Sequence, residues 1–172
     1  MNIVLTGFMG TGKSVVAREL AKILHWPVID TDAEIEKETG KKITEIFSRY
    51  GEDYFRQIEQ RVIRRLSRRD NQIIAVGGGA VIKRANRQNL RRHGLIINLT
   101  ASPSTICRRL AKDRSRPLLN FPGRKEIIQK LLARREKYYR INNLRINTDR
   151  RSPRQIARAI IARLKRYEKD IS

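Results

Sequence analysis

Two rhythms of apolar and polar residues alternate along the chain. Short runs dominated by apolar residues occur at Asn2–Thr6, Pro27–Asp32, Gln72–Val76, Leu95–Leu99 and Leu144–Thr148. Between them lie longer segments in which apolar residues return every three or four positions, the helical period. The runs read as strands, the inner ones covered on both faces and the last edge-like. The periodic segments predict helices over Val15–Leu24 (Val16, Leu20, Ile23, Leu24), Ala33–Thr39 and Ile43–Tyr50. After a break at Gly51 they predict further helices over Asp53–Arg69 (Phe55, Ile58, Val62, Leu66), Arg84–Arg92, Pro103–Ala111 and Arg124–Arg140. A last helix opens with Ser152 as N-cap and Pro153 at its first position, and carries Ile156, Ile160, Leu164 and Tyr167. Strands alternating with helices predict a three-layer α/β/α domain around a five-stranded parallel sheet. All 172 residues belong to that one domain. Lys112–Gly123 has neither rhythm and contains prolines and a glycine, so a lid of about 112–123 is expected as an insertion between core segments 1–111 and 124–172.

The first strand runs into Gly7-Phe-Met-Gly-Thr-Gly12-Lys13-Ser14, and a helix follows at once. Polyphosphates are held by backbone N–H groups at a helix N-terminus, where side chains would block the approach. Gly7, Gly10 and Gly12 leave that backbone bare, and Gly10, Thr11, Gly12, Lys13, Ser14 and Val15 form the expected nucleotide cradle. Lys13 is suited to the β- and γ-phosphates, and the Ser14 hydroxyl to a bridging Mg²⁺.

Three further stretches carry candidate chemistry. Asp30 and Asp32 close the second strand; at i and i+2 of an extended segment they would share a face at the sheet edge where open α/β sheets bind ligands. Beside a Mg-phosphate loop, two acids suit metal and hydroxyl roles, whereas the plainer reading makes Asp32 the N-cap of the next helix. The third strand ends in Gly77-Gly78-Gly79 and not in an acid, so the metal-organising carboxylate falls to Asp30. The three glycines expose backbone N–H groups suited to an oxygen-rich ligand, with a plain turn as the competing reading. In the expected lid, Arg114 and Arg116 are the cations available to a transferring phosphoryl group. Arg56 stands off the apolar stripe of its helix, and spacing does not distinguish it from the many solvated arginines.

Composition changes this picture in one respect. Lys and Arg number 39 against 17 Asp and Glu, a formal charge of +22. That charge raises nucleic acid as a partner. Most of it, however, lies on helices with their own apolar stripe, and the few aromatic residues form no stacking platform. A specific nucleic-acid ligand is therefore not expected. No apolar run reaches the roughly 20 residues that span a bilayer. Met1 leads straight into the first strand, and Cys107 is the single cysteine, so no membrane contact and a cytoplasmic location are expected.

Taken in order, the phosphate loop, Asp30-Thr-Asp32, Phe55-Arg56 with Glu59, Gly77-Gly78-Gly79 and Arg116-Pro-Leu-Leu119 resemble the shikimate kinase family over nearly the whole chain. The resemblance implies a nucleoside monophosphate kinase-type fold and transfer of phosphate from ATP, with Mg²⁺, to the 3-hydroxyl of shikimate. It implies that Asp32 holds the hydroxyls of shikimate and is placed to orient or deprotonate the attacking one, and that Asp30 supports the metal through water. Arg56 and Arg135 would pair with the substrate carboxylate, while Gly77, Gly78 and Gly79 would contact ring hydroxyls. Arg116 would meet the phosphates from the lid; Arg109, Arg151 and Pro153 would flank the adenine. Acceptor-binding helices of about 32–69 belong to the same expectation, and a monomer is expected for a compact kinase of this size. The nearest alternative is a gluconate kinase-like enzyme, and a more distant one a nucleic-acid-stimulated ATPase.

Overall fold

The computed structural model describes residues 1–111 and 123–171, with the side chains of the last helix described as far as Lys165. The expected strands form one parallel sheet: β1 (Asn2–Thr6), β2 (Val28–Asp30), β3 (Ile73–Ala75), β4 (Gly94–Thr100) and β5 (Leu144–Asn147), in the order β2-β3-β1-β4-β5. The connecting helices are α1 (Lys13–Leu24), α2 (Thr31–Thr39), α3 (Ile43–Leu66), α4 (Arg84–Arg92), α5 (Pro103–Arg109), α6 (Arg124–Tyr139) and α7 (Pro153–Ile171).

Alternate strand residues explain the three layers. Ile3 and Leu5 of β1 face a core shared with Val16, Ala17 and Leu20 of α1 and Ile156, Ala157 and Ile160 of α7. Val4, one residue out of phase, faces the opposite core with Ile35 of α2, Ile58, Val62, Ile63 and Leu66 of α3 and Leu90 of α4. A period of two puts successive side chains on opposite faces, so a strand buried on both sides must be apolar throughout. A third cluster, Phe8, Val81, Ile106, Leu110, Ile128 and Tyr139, seats α5 and α6 against the loop after β1.

The break expected at Gly51 is present: inside α3 that residue is non-helical (φ 79°, ψ 175°), and a kink there separates the helical stretch before it from the one after it. Cores on both sides of the kink hold it in place: Ile46 before it and Phe55 after it are both buried. One sequence-derived boundary needs correction. The second strand stops at Asp30, and Asp32 is already helical. The strand alternation expected for the two aspartates therefore does not apply.

Because every strand is parallel, the segments following β1, β2, β3, β4 and β5 all emerge at one edge of the sheet. That edge gathers the loop 7–12, Asp30, the three glycines, α5 and the loop 148–152. The sheet's strand order reverses across β1, with β3 and β2 on one side and β4 and β5 on the other.

Candidate active site

The loop after β1 delivers the chain into α1 with Gly12 as N-cap and no side chain capping the helix, so the first-turn N–H groups face the loop. Lys13 Nζ donates to the Gly7 and Phe8 carbonyls at 2.9 and 3.0 Å, which holds the ammonium over the loop. Buried Thr11 donates to the Phe8 carbonyl at 2.8 Å and fixes the turn from inside, while Val15 lies exposed on the first helical turn. Arg109 of α5 reaches back to the Gly10 carbonyl at 3.2 Å and also donates to Thr148 Oγ1 and its carbonyl at 3.0 and 2.9 Å. It thereby joins the cradle to the loop before α7. Burial shifts its pKa down, against the attraction of Asp149.

That second loop is fastened to α5 by Asp149, whose carboxylate accepts from the Ser102 N–H at 3.1 Å. Exposed Arg151 and half-buried Pro153 thus share an edge with Arg109. Arg114 and Arg116 lie outside the described residues.

Asp30 does two jobs. Its Oδ1 caps α2 by accepting from the Asp32 and Ala33 N–H groups at 2.9 and 3.3 Å, and its Oδ2 accepts from the Ser14 hydroxyl at 3.3 Å. The cap assigned to Asp32 by the plainer sequence reading therefore belongs to Asp30. The Ser14–Asp30 pair offers two hard oxygen donors beside the phosphate loop, a set that fits Mg²⁺ completed by phosphate oxygens and water. No cluster of three or more His, Cys, Asp or Glu ligands occurs among the described residues.

Asp32, freed from capping, turns toward the glycines. A methyl group built on Gly77 would lie 2.7 Å from Asp32 Oδ1 and 3.4 Å from Glu59 Oε1; one on Gly79 would run into the Arg56 guanidinium. Gly77 and Gly79 thus pack too closely for a side chain. Gly78 lies against the phosphate loop itself, since a methyl there would sit 3.4 Å from the Met9 nitrogen and 3.5 Å from the Gly7 carbonyl oxygen. Gly77 is tied to α2 by donating to the buried Thr31 hydroxyl at 3.0 Å.

Arg56 is far from the solvated arginine that spacing left open. Its side chain is 12% exposed and forks onto Glu59 through Nη1 at 2.8 and 2.9 Å, with Glu52 accepting from Nε and Nη2 at 3.1 and 3.0 Å. Glu59 is fully buried. Burial raises the pKa of its carboxyl, against the pull of Arg56, and the charges of Asp32 and Glu52 add to the rise. Arg135 stands over the Phe8 ring, 5.7 Å from its centroid, and its charge acts on the Tyr139 hydroxyl one helical turn on. Tyr139 in turn donates to the Gly78 carbonyl at 2.6 Å.

Asp32, Arg56, Arg135 and the three glycines are therefore neighbours, although they come from four separate parts of the chain. Sequence reasoning overlooked Tyr139 and gave Glu59 no role. The i, i+3 spacing of Arg56 and Glu59 and the i, i+4 spacing of Arg135 and Tyr139 were the available signals. A cavity of about 230 Å³, lined by Phe8, Thr11, Asn98, Tyr139 and Arg145 among others, contains none of Lys13, Asp30, Asp32 or Arg56.

Comparison with known proteins supplies the context for this geometry. A family model described as "Shikimate kinase" matches residues 9–165. A shikimate kinase of Caldanaerobacter subterraneus subsp. tengcongensis is 42% identical over 160 residues, which cover 93% of this chain and 94% of that protein. The structure of an Acinetobacter baumannii shikimate kinase in complex with shikimate superposes with a TM-score of 0.93 at 34% identity, covering 96% of this chain and 93% of the other. A gluconokinase from Sinorhizobium meliloti shares the fold at a TM-score of 0.68 and 22% identity, covering 99% and 94%.

Proposed function

The chain belongs to the shikimate kinase family, and we propose that it transfers the γ-phosphoryl group of ATP to the 3-hydroxyl of shikimate, giving ADP and shikimate 3-phosphate, a step toward chorismate and the aromatic amino acids. One observation carries the assignment of roles: Gly78 lies against the phosphate loop, while Gly77 and Gly79 on either side of it abut Asp32 and Arg56. Donor and acceptor sites are therefore contiguous, as in-line transfer requires.

Within this reading, the Gly10–Val15 cradle holds the polyphosphate, and Lys13 neutralises charge that grows on the transferring group. Asp32 accepts a hydrogen bond from the reacting hydroxyl and orients it toward the phosphorus. Arg56 and Arg135 clamp the shikimate carboxylate; Arg56 arrives there already held at fixed orientation by Glu59 and Glu52. The backbone of Gly77, Gly78 and Gly79 contacts the ring hydroxyls. Ser14 and Asp30 would hold Mg²⁺, which would supply positive charge to offset that of the phosphates. Arg109, Arg151 and Pro153 flank the adenine. Residues 112–123, with Arg116 as phosphate contact, are the lid, and helices over about 32–69 form the acceptor side. The enzyme is a cytoplasmic monomer working on small molecules, without a specific nucleic acid. No helix among the described residues is long and apolar enough to cross a membrane.

Coupled ADP release with Mg-ATP and a panel of shikimate, gluconate, nucleoside monophosphates and bulk RNA tests the proposal. Turnover is expected with shikimate alone. Turnover with gluconate instead, or RNA-stimulated hydrolysis without shikimate, would withdraw the acceptor roles. Asp32→Ala is expected to lose turnover while retaining ATP binding; near-normal rates would remove Asp32 from the mechanism.

A further inference from the structure

The charge of +22 is not consumed by the active site. Part of it is paired on the surface: Arg61 contacts Glu38, and Arg65 contacts Glu34 and Glu38. The neighbouring Arg64 and Arg68 are not spent in this way. They face a cleft between the C-terminal ends of α3 and α4, together with Gln60, Asn89, Arg92 and His93. Its volume is about 420 Å³ and its lining contains no carboxylate. Among the described residues, Arg64, Arg68 and Arg92 form no ion pair with an acidic side chain. Asp70, an acid whose charge interacts with that of His93, is engaged with the amino group of Met1 at 2.7 Å.

This cleft stands apart from the catalytic edge. The helix α3 ends just before β3 begins, and α4 ends just before β4, so the cleft lies at the starting edge of the strands. The Asn2 N–H bond to the His93 carbonyl at 2.7 Å fixes that corner at the beginning of β1, whose five residues span about 16 Å to the phosphate loop. Cations in the last turn of a helix complement its dipole, and this accounts for a basic residue on each helix separately. It does not account for guanidinium groups of two different helices converging on one acid-free concavity. Guanidinium groups bind phosphate oxygens through paired N–H donors, and their mutual repulsion in such a cluster falls when an anion sits between them.

We propose that the α3–α4 cleft is a second binding site, for a small phosphorylated molecule bearing two or more negative charges. Arg64, Arg68 and Arg92 take its phosphate oxygens, while Gln60 and Asn89 supply amide groups for hydroxyls on the rest of the ligand. The size of the concavity suits one small molecule, within the range of ordinary ligand pockets. A nucleic-acid backbone would call for an extended track of cations, and single strands for aromatic platforms, which this lining lacks.

The test is titration calorimetry of the full chain with pyrophosphate at a fixed ionic strength of about 0.15 M. Two saturable sites are expected. Lys13→Ala removes the one in the phosphate loop. The double substitution R64Q/R92Q weakens the other by about tenfold or more, the loss of two charge-assisted contacts, and leaves shikimate-dependent ADP release unchanged. The pair R64K/R92K, which keeps the charge but not the fork, restores part of the binding. Three results would overturn the proposal. One is a single site abolished by Lys13→Ala; another is a second site indifferent to R64Q/R92Q. The third is unsaturable binding that strengthens with RNA length and falls steeply with salt, which would make the face a nonspecific polyanion surface. Retained kinase activity in R64Q/R92Q shows that the variant is folded and separates this outcome from any failure of the shikimate assignment.

Discussion

At the scale of single residues, the proposed acceptor site depends on contacts at Gly77 and Gly79 too close for any side chain but hydrogen. A methyl on Gly79 collides with the Arg56 guanidinium, so Gly79→Ala is expected to displace that group and raise the Michaelis constant for shikimate while leaving that for ATP near its original value. Arg56→Ala should act in the same direction and cost about 2–4 kcal/mol in kcat/KM, the range for losing a desolvated charged partner. Steady-state kinetics with each substrate varied in turn checks both; an ATP effect equal to the shikimate effect would show general damage instead. Tyr139 makes a different prediction. Burial, opposed by Arg135 and Arg56, pushes its hydroxyl up to about 12. An unfolded chain releases the phenol proton near pH 10, so between about 10 and 12 the folded state holds a proton that the unfolded state has lost. The associated stability is complete below pH 10 and disappears as pH rises toward 12, a loss of about 2–3 kcal/mol. Tyr139→Phe also gives up the bond to Gly78, about 1 kcal/mol at neutral pH. Urea unfolding at stepped alkaline pH should therefore show the advantage over Tyr139→Phe vanishing above pH 10 and reversing as pH approaches 12. A constant gap would mean that this hydroxyl does not titrate as its burial requires.

Among elements, helix starts are what set the site. Asp30 caps α2 and so determines where the helix begins, which removes Asp32 from the strand and aims it at Gly77. The start of α7 is organised by a reciprocal pair, with Ser152 Oγ accepting from the Gln155 N–H at 3.2 Å and Gln155 Oε1 accepting from the Ser152 N–H at 2.8 Å. Ser152→Ala is expected to lower global stability by about 1 kcal/mol, because α7 buries Ile156, Ala157 and Ile160 against α1 and cannot fray without exposing them. The urea midpoint reads this directly, and an unchanged midpoint would show that the pair contributes nothing net. The same helix start was legible in the sequence from Ser152-Pro153. The cap at Asp30 was not, because two aspartates two residues apart offered equivalent candidates and only the backbone path distinguishes them.

Over the whole molecule, the dominant feature is an excess of positive charge spread on helix faces. Self-repulsion of that kind opposes the compact state, and salt screens it over a Debye length of about 10 Å at 0.1 M. The melting temperature is expected to rise with sodium chloride between low ionic strength and roughly 0.5 M, where the Debye length has fallen toward a few Å. A scanning series in one buffer measures it; a falling melting temperature would show that favourable ion pairs such as Arg61–Glu38 outweigh the repulsion.

The sequence by itself determined the architecture. Buried parallel strands must be apolar on both faces and amphipathic helices on one, so the five runs and their intervening periods specified the sheet, and the glycine-rich turn before Lys13 specified the cradle at its edge. It also marked Asp32, Arg56, the triple glycine and Arg135 through family resemblance. Only the tertiary structure decided how these become one site. Arg56 looked like any surface arginine because its distinction is a buried carboxylate at Glu59 and a glycine with no side chain at Gly79, and the glycine lies 23 residues further along the chain. Tyr139 and Gly78 are 61 residues apart. Periodicity reports which side of an element is buried; what that side meets depends on the path of the chain between elements, and local spacing carries no record of it.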